Sequence, residues 1–380
     1  MRMKEANRVV PLVAAAQPTQ FGLINLLKAV AAQLIVLHHL AFYGPMADHA
    51  QPLAPDLFDW LAGDARIAVQ VFLVIGGFLA AKSLSPRGEP GLSDPLGKIW
   101  RRYLKLAPPF MVAMLLAVGA SALASLWMTH DSISSPPSVG QLAAHALLLH
   151  DVLGYEALSA GVWYVAIDFQ LYAVLALLLW GCGRLAGKRR LPWLMPAVMT
   201  MGLGASLLYF NLDSDWDVWA PYFLGSYGLG ALAWWASDPL RRPRSVAALL
   251  LMAALPTLVA LTLDFRSRIA VALALACVLV LFGRARMPSN ANAAWGLVGR
   301  MGKISYAVFL VHFPVCLVVN AAFARFVPAD MHLQAAGTAL AWGCSLLVGA
   351  AFCRWVELPI GRAVSLFTVR VAPQPAGLKG

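Results

Sequence analysis

The sequence predicts an all-α polytopic membrane protein with about ten transmembrane helices and both termini in the cytosol. Three observations carry that expectation: an apolar excess, its division into helix-length runs, and basic residues gathered between alternate runs. Of 380 residues, 60% are hydrophobic and 12% charged, whereas a soluble globular chain carries roughly a quarter charged residues. A bilayer-spanning helix needs roughly 20 apolar residues, and runs of that length recur along the chain. A soluble fold would have to bury almost every helix on all sides, and a chain of this size lacks the interior for that.

Taken in order, apolar runs bounded by charge, Pro or Gly place spans near 23–43, 65–83, 104–127, 162–182, 193–210, 219–236, 246–263, 269–282, 304–323 and 335–356. The second begins just after Asp64, the third follows the basic stretch Arg101–Lys105, and the ninth follows Lys303. The eighth is short. The expected organisation is a cytosolic N-terminal tail over 1–22, one transmembrane domain over 23–362, and a cytosolic C-terminal tail over 363–380. The opening MRMKEANRVVPLVAAAQPTQ is basic, but its apolar run is short and broken by Pro11. It reads as a tail before an uncleaved anchor.

Orientation follows from Lys and Arg in alternate loops. With the N-terminus inside, the cytosolic segments hold 24 basic residues and the opposite segments four: Arg66, Arg266, Arg268 and Arg325. The net charge of +11 therefore reports topology and gives no reason to expect a nucleic-acid partner. Outer loops are acidic instead, with Asp48, Asp56, Asp59 and Asp64 in the first and Asp213, Asp215 and Asp217 in the third. The longest outer segment, 128–161, has three histidines and no Lys or Arg, and its GQLAAHALLLHD suits an interfacial amphipathic helix. The five cysteines show no metal-type spacing. They read as packing residues, and no metal is expected.

An ionisable group inside a span costs several kcal/mol on insertion scales, about 2.5–3.5 at the centre, and is a functional suspect. Asp168 is the only carboxylate well inside an apolar run, and Glu357 lies at the inner end of the tenth. Lys28 is the basic residue within a span; His38, His39 and His312 are the histidines. At ~1.5 Å rise per residue, His39 lies roughly 6 Å and Asp168 roughly 10 Å below the outer surface. A His39–Asp168 hydrogen bond is thus geometrically possible. It would fix the imidazole tautomer and make a general base for an alcohol. The plainer alternative gives Asp168 a local Tyr or Trp partner and leaves His39 at the headgroups. Lys28, about 16 Å from His39 along the helix, suits snorkelling. Arg101, Arg102 and Lys105 suit either topology or a phosphate-binding cluster.

Several segments together resemble the acyltransferase 3 family of ten-helix membrane O-acyltransferases. NLLKAVAAQLIVLHHL is similar to that family's opening helix, with Lys28 eleven residues before His39. VQVFLVIGGFLAAKSL is similar to the second helix, RRYLKLAPPF to the basic motif entering the third, and WYVAIDFQLY to a Trp-rich acidic motif. MGKISYAVFLVHFPV and RWVELPIGR are similar to the closing helices. The resemblance implies acyl transfer from cytosolic acyl-CoA, with acetyl-CoA expected, to a hydroxyl of a cell-envelope glycan or lipid-linked sugar. It implies no permanently bound cofactor and places the protein in a bacterial inner membrane. It also implies that His39 is the essential histidine, oriented by Asp168, and that Lys28, Arg102 and Lys105 hold the donor. Trp163, Tyr164, Tyr172 and His312 become candidates for the substrate pocket. Departures are Lys28 and Lys105 where arginines are usual, Asn25 for an aspartate, Gly76 for a serine, and Asp168 for a glutamate-containing motif. A proton-coupled transporter using intramembrane His and Asp is the rival reading; it calls for inverted repeats and broken helices, which the sequence does not display.

Overall fold

The computed structural model describes residues 22–189, 191–285 and 293–371. The expected N-terminal tail, apart from Gly22, and the last nine residues of the expected C-terminal tail lie outside them. Every one of the ten expected spans is a helix: α1 Gly22–Phe42, α2 Val69–Leu84, α3 Pro95–Ala124, α4 Trp163–Ala186, α5 Leu194–Leu208, α6 Ala220–Ala236, α7 Pro243–Leu263, α8 Ser267–Phe282, α9 Ala293–Phe326 and α10 Met331–Phe352. Eight helical stretches are long and apolar enough to cross a bilayer; α6 and α8 are shorter. Among the described residues there is no strand. The segment GQLAAHALLLHD contributes to a short helix, Val139–Ala146.

Two boundaries moved, for physical reasons. The α3 helix starts nine residues earlier than expected because Pro95 suits a first-turn position and the Asp94 carboxylate accepts from Gly97 N at 2.8 Å. Lys98, Arg101 and Arg102 therefore stand on the helix and not before it. At the other end α10 does not stop. It passes through a π turn, Cys353–Glu357, into a further helix, α11 Leu358–Val371. The expected boundary at 363 falls inside that helix.

The helices form two packed groups sharing α4. In one core Phe78 of α2, Leu175 of α4, Met199 and Leu203 of α5, Trp235 of α6 and Leu279 of α8 pack together. In the other, Ile35 of α1, Phe110 of α3, Ala166 of α4 and Leu310 of α9 do so. Helices α2 and α6 cross with their backbones touching: a Cβ on Gly77 would overlap the Tyr227 carbonyl, and one on Gly230 the Val74 carbonyl. Small residues allow such crossings in lipid, where dispersion replaces the hydrophobic drive. The residues expected to carry chemistry sit in and beside α4, on the seam between the groups.

Candidate active site

Helix α9 carries a polar face. Ser305, His312 and Asn320 are all buried and, at separations of seven and eight residues, share one side of the helix. That side packs on α1. The Asn320 amide accepts from Met46 N at 3.2 Å and donates to Tyr43 O at 3.4 Å, tying down the chain where it leaves α1. One or two turns away, His39 Nδ1 and His312 Nε2 are 2.6 Å apart. Their ring centroids are 4.9 Å apart with planes 6° from parallel. That spacing is the nitrogen separation plus two ring radii, so the imidazoles meet edge to edge.

The direction of this bond follows from its far end. His312 Nδ1 lies 2.8 Å from Phe309 O and 3.2 Å from Val308 O. Carbonyl oxygens only accept, so Nδ1 carries the proton and Nε2 of neutral His312 must accept. The donor is then His39 Nδ1–H, and His39 Nε2 keeps its lone pair. Among the described residues, the side-chain hydrogen bond of His39 is the one at Nδ1. Gly161 leaves room beside the ring: a Cβ there would sit 3.1 Å from His39 Cε1, and its φ of 80° suits glycine. Imidazole has thus taken the orienting place expected for a carboxylate.

The expected His39–Asp168 bond is not formed. Asp168 Oδ2 accepts from the Arg102 guanidinium instead. A buried carboxylate is better satisfied by a charged fork than by a neutral ring N–H. The depth estimate could not register the azimuth that sends Asp168 towards α3. A Cβ at Gly76 would lie 2.9 Å from Asp168 Oδ1 and 3.2 Å from the Tyr227 ring, so the glycine departure on α2 leaves space for the carboxylate on α4. The Arg102 guanidinium carbon lies 5.3 Å from the Tyr172 ring centre. Tyr164, Tyr227 and Tyr306 lie within the electrostatic reach of the pair. Tyr164 also meets the Phe309 ring at 5.6 Å, joining this cluster to the turn that holds His312.

Lys28 and Lys105 lie near Glu357 and Arg102, and their charges interact. Glu357 sits in the π turn, an irregularity often found at functional sites. The structure therefore groups the expected residues in three: His39 with His312, Asp168 with Arg102 and Tyr172, and Lys28 with Lys105. Trp163 belongs elsewhere. Its ring packs on Phe223 at 5.3 Å and 28°, lining a cavity of about 650 Å³ with Asp151, Asp217, Tyr222 and Arg268. The cavity opens at the His39 end, since its wall residue Gly63 follows Leu61, whose carbonyl accepts from His38 at 2.9 Å. Beside it, burial lowers His150 to about 3, helped by His145. Burial, with the charge of Asp217, raises Asp151 to about 6. His150 Nε2 and Asp151 Oδ2 are 3.3 Å apart, yet burial favours the neutral form of each. Among the described residues no group of three or more His, Cys, Asp or Glu has metal-binding geometry.

An acyltransferase-domain family model, acyltransferase 3, matches residues 22–356. The chain belongs to the acyltransferase 3 family. Its eight helices that are long and apolar enough to cross a membrane fit a multi-pass membrane protein. The "Regulator of hypoxia-inducible factor 1" of Caenorhabditis elegans is similar, at 26% identity over 179 residues. The match covers 44% of this chain and 36% of that protein, so the chain spans about a third of its relative's length. No solved structure matches the chain. Within this acyltransferase 3 member, the matched segment contains all three residue groups and ends one residue short of Glu357.

Proposed function

We propose that the protein moves an acyl group, acetyl in the simplest case, from acyl-CoA to a hydroxyl of a cell-envelope glycan or lipid-linked sugar. His39 Nε2 is the proton acceptor. The observation carrying this reading is the relay from the Phe309 carbonyl through His312 to His39, which ends on a lone pair with no hydrogen-bond partner among the described residues. As the acceptor oxygen attacks the thioester carbonyl carbon, Nε2 takes the hydroxyl proton. The C–S bond breaks, and the thiolate recovers that proton from His39 and leaves as the CoA thiol. In a covalent order, Nε2 itself bonds the acyl carbon and the thiolate takes a proton from solvent. The hydroxyl then displaces the imidazole and releases its proton to solvent.

The 24-to-4 basic asymmetry supports placing the Lys28, Arg102 and Lys105 end in the cytosol, where acyl-CoA resides, and the Trp163 cavity outside. A bacterial inner membrane fits that orientation. The cavity's aromatic faces, carboxylates and Arg268 suit a polyhydroxylated acceptor. Mass spectrometry of envelope glycans and lipids tests the reading. Cells with the protein should carry O-acyl groups that cells without it lack, and identical profiles would count against it.

A further inference from the structure

At the opposite end from the Trp163 cavity, the segment between α2 and α3 folds against the last turns of α4. Together with Leu191 and Pro192 they line a half-open cavity of about 830 Å³. Gly91 N donates to Leu179 O at 2.9 Å, and a Cβ on Gly183 would overlap the Gly91 backbone. The wall is therefore pinned to α4. Three arginines line it, Arg87, Arg184 and Arg189, against one carboxylate, Glu89. None of these guanidinium groups has an ion pair or side-chain hydrogen bond with another described residue. Arg184 lies 5.4 Å from the Trp180 ring centre, and Trp180 is 40% exposed, so part of its indole remains open.

The contrast with the basic cluster deeper in the bundle decides what each can do. Arg102 is committed to Asp168, and the charges of Lys28 and Lys105 are offset by Glu357. The cavity at the end of α4 offers three forks with no ion pair to another described residue, an aromatic face and open volume. Guanidinium groups grip phosphate oxygens in pairs, and an aromatic face accepts a stacked base. Trp180 is twelve residues from Asp168 on the same helix, roughly 18 Å, which leaves a long, slender arm to bridge the rest.

We propose that this cavity holds the phosphorylated nucleotide end of the acyl-CoA donor. This rests on acyl-CoA being the donor, as proposed above. Arg87, Arg184 and Arg189 bind the phosphates and Trp180 stacks on the adenine. The Lys28–Arg102–Lys105 group then faces the pantetheine arm and not the phosphates. An anionic lipid headgroup would share the phosphate chemistry, but it has no base to place on Trp180.

The test uses the full-length protein in nanodiscs and equilibrium binding of CoA, dephospho-CoA (lacking the 3′-phosphate) and adenosine 3′,5′-diphosphate. In the unaltered protein, CoA should bind at least tenfold more tightly than dephospho-CoA, and adenosine 3′,5′-diphosphate should displace it. Replacing Arg184→Gln and Arg189→Gln together should raise the Kd for CoA tenfold or more and shrink the difference from dephospho-CoA. Arg244→Gln, at an exposed basic residue outside the cavity, should change either value less than threefold. If the unaltered protein binds CoA and the double variant binds it equally well, the cavity is not the nucleotide site, although the donor reading survives. If the unaltered protein binds no CoA, the donor reading fails and takes the site with it. Displacement by short-chain phosphatidylglycerol but not by adenosine 3′,5′-diphosphate would make this a lipid headgroup site and overturn the proposal.

Discussion

Replacing His312 isolates the new element of the site, because the residue touches His39 while making no direct claim on either substrate. In His312→Ala the Nδ1–H of His39 loses its 2.6 Å acceptor, and the ring can turn or present its other tautomer. A buried donor left without its partner costs about 1–3 kcal/mol, which corresponds to about a 5- to 150-fold loss of rate if it falls on the transition state. The amide oxygen of Gln can accept from Nδ1–H, so His312→Gln should recover at least a third of the log-scale loss. The assay is transfer of radiolabelled acetyl from acetyl-CoA to the cell-envelope fraction, using membranes with matched amounts of protein. The reduction should appear in kcat with little change in the KM for acetyl-CoA, since a uniform binding contact is not being removed. Full activity in His312→Ala would refute the relay. So would a loss confined to KM.

Three further outcomes follow from other parts of the molecule. Asp168→Asn strips the charge partner from Arg102. A fully buried pair broken on one side costs about 3–5 kcal/mol, and the partly open Arg102 reduces this to roughly 2–3. The variant should melt earlier by fluorescence-detected size exclusion, and the double variant Arg102→Met with Asp168→Leu should regain most of that stability while staying inactive; an unchanged melting temperature in Asp168→Asn would remove the pair from the argument. His150 and Asp151 pull stability in opposite directions with pH. The lowered histidine contributes stability above its unfolded pKa of about 6.5 that is lost as pH falls towards about 3. The raised carboxyl contributes below about 3.8 and loses its contribution as pH rises to about 6. Asp151→Asn should therefore become acid-labile between pH 6 and about 4, and His150→Phe should gain stability over the same interval; the same slope in both would contradict these assignments. For topology, single cysteines near Asp56 and Asp215 in a cysteine-free background should react with an impermeant reagent on intact cells, and one near Arg189 should not. Labelling of the Arg189 position from outside would invert the orientation.

The helices were legible because lipid imposes length and apolarity on every span, and those quantities are additive along a chain. Boundaries set by a local cap were less so, as Asp94 and Pro95 show: a charge-rich stretch reads as a loop until its N-cap is seen. The site was half legible. His39, Asp168 and Arg102 stood out as polar groups in apolar surroundings, but depth along a helix says nothing of the face on which two helices meet. Depth alone therefore pairs Asp168 with His39, whereas its partner is Arg102. His312 was visible only as a pocket candidate. The signal for its role was present in the spacing of Ser305, His312 and Asn320, which puts three polar side chains on one face of α9. The uncommitted arginines beside Trp180 had no such signal. Each looked like an ordinary topology-setting residue until the loop carrying Arg87 was seen folded against α4.

Acyl transfer by His39→Ala, compared with His38→Ala at matched membrane expression, tests directly whether His39 carries the chemistry. His39 presents the lone pair on which the proposed chemistry depends, whereas the neighbouring His38 ring is bonded to Leu61 O at 2.9 Å and points about 100° away around the helix. Transfer by His39→Ala should fall to the level of membranes without the protein, while His38→Ala should keep a substantial part of the activity. Near-normal transfer by folded His39→Ala would contradict that role.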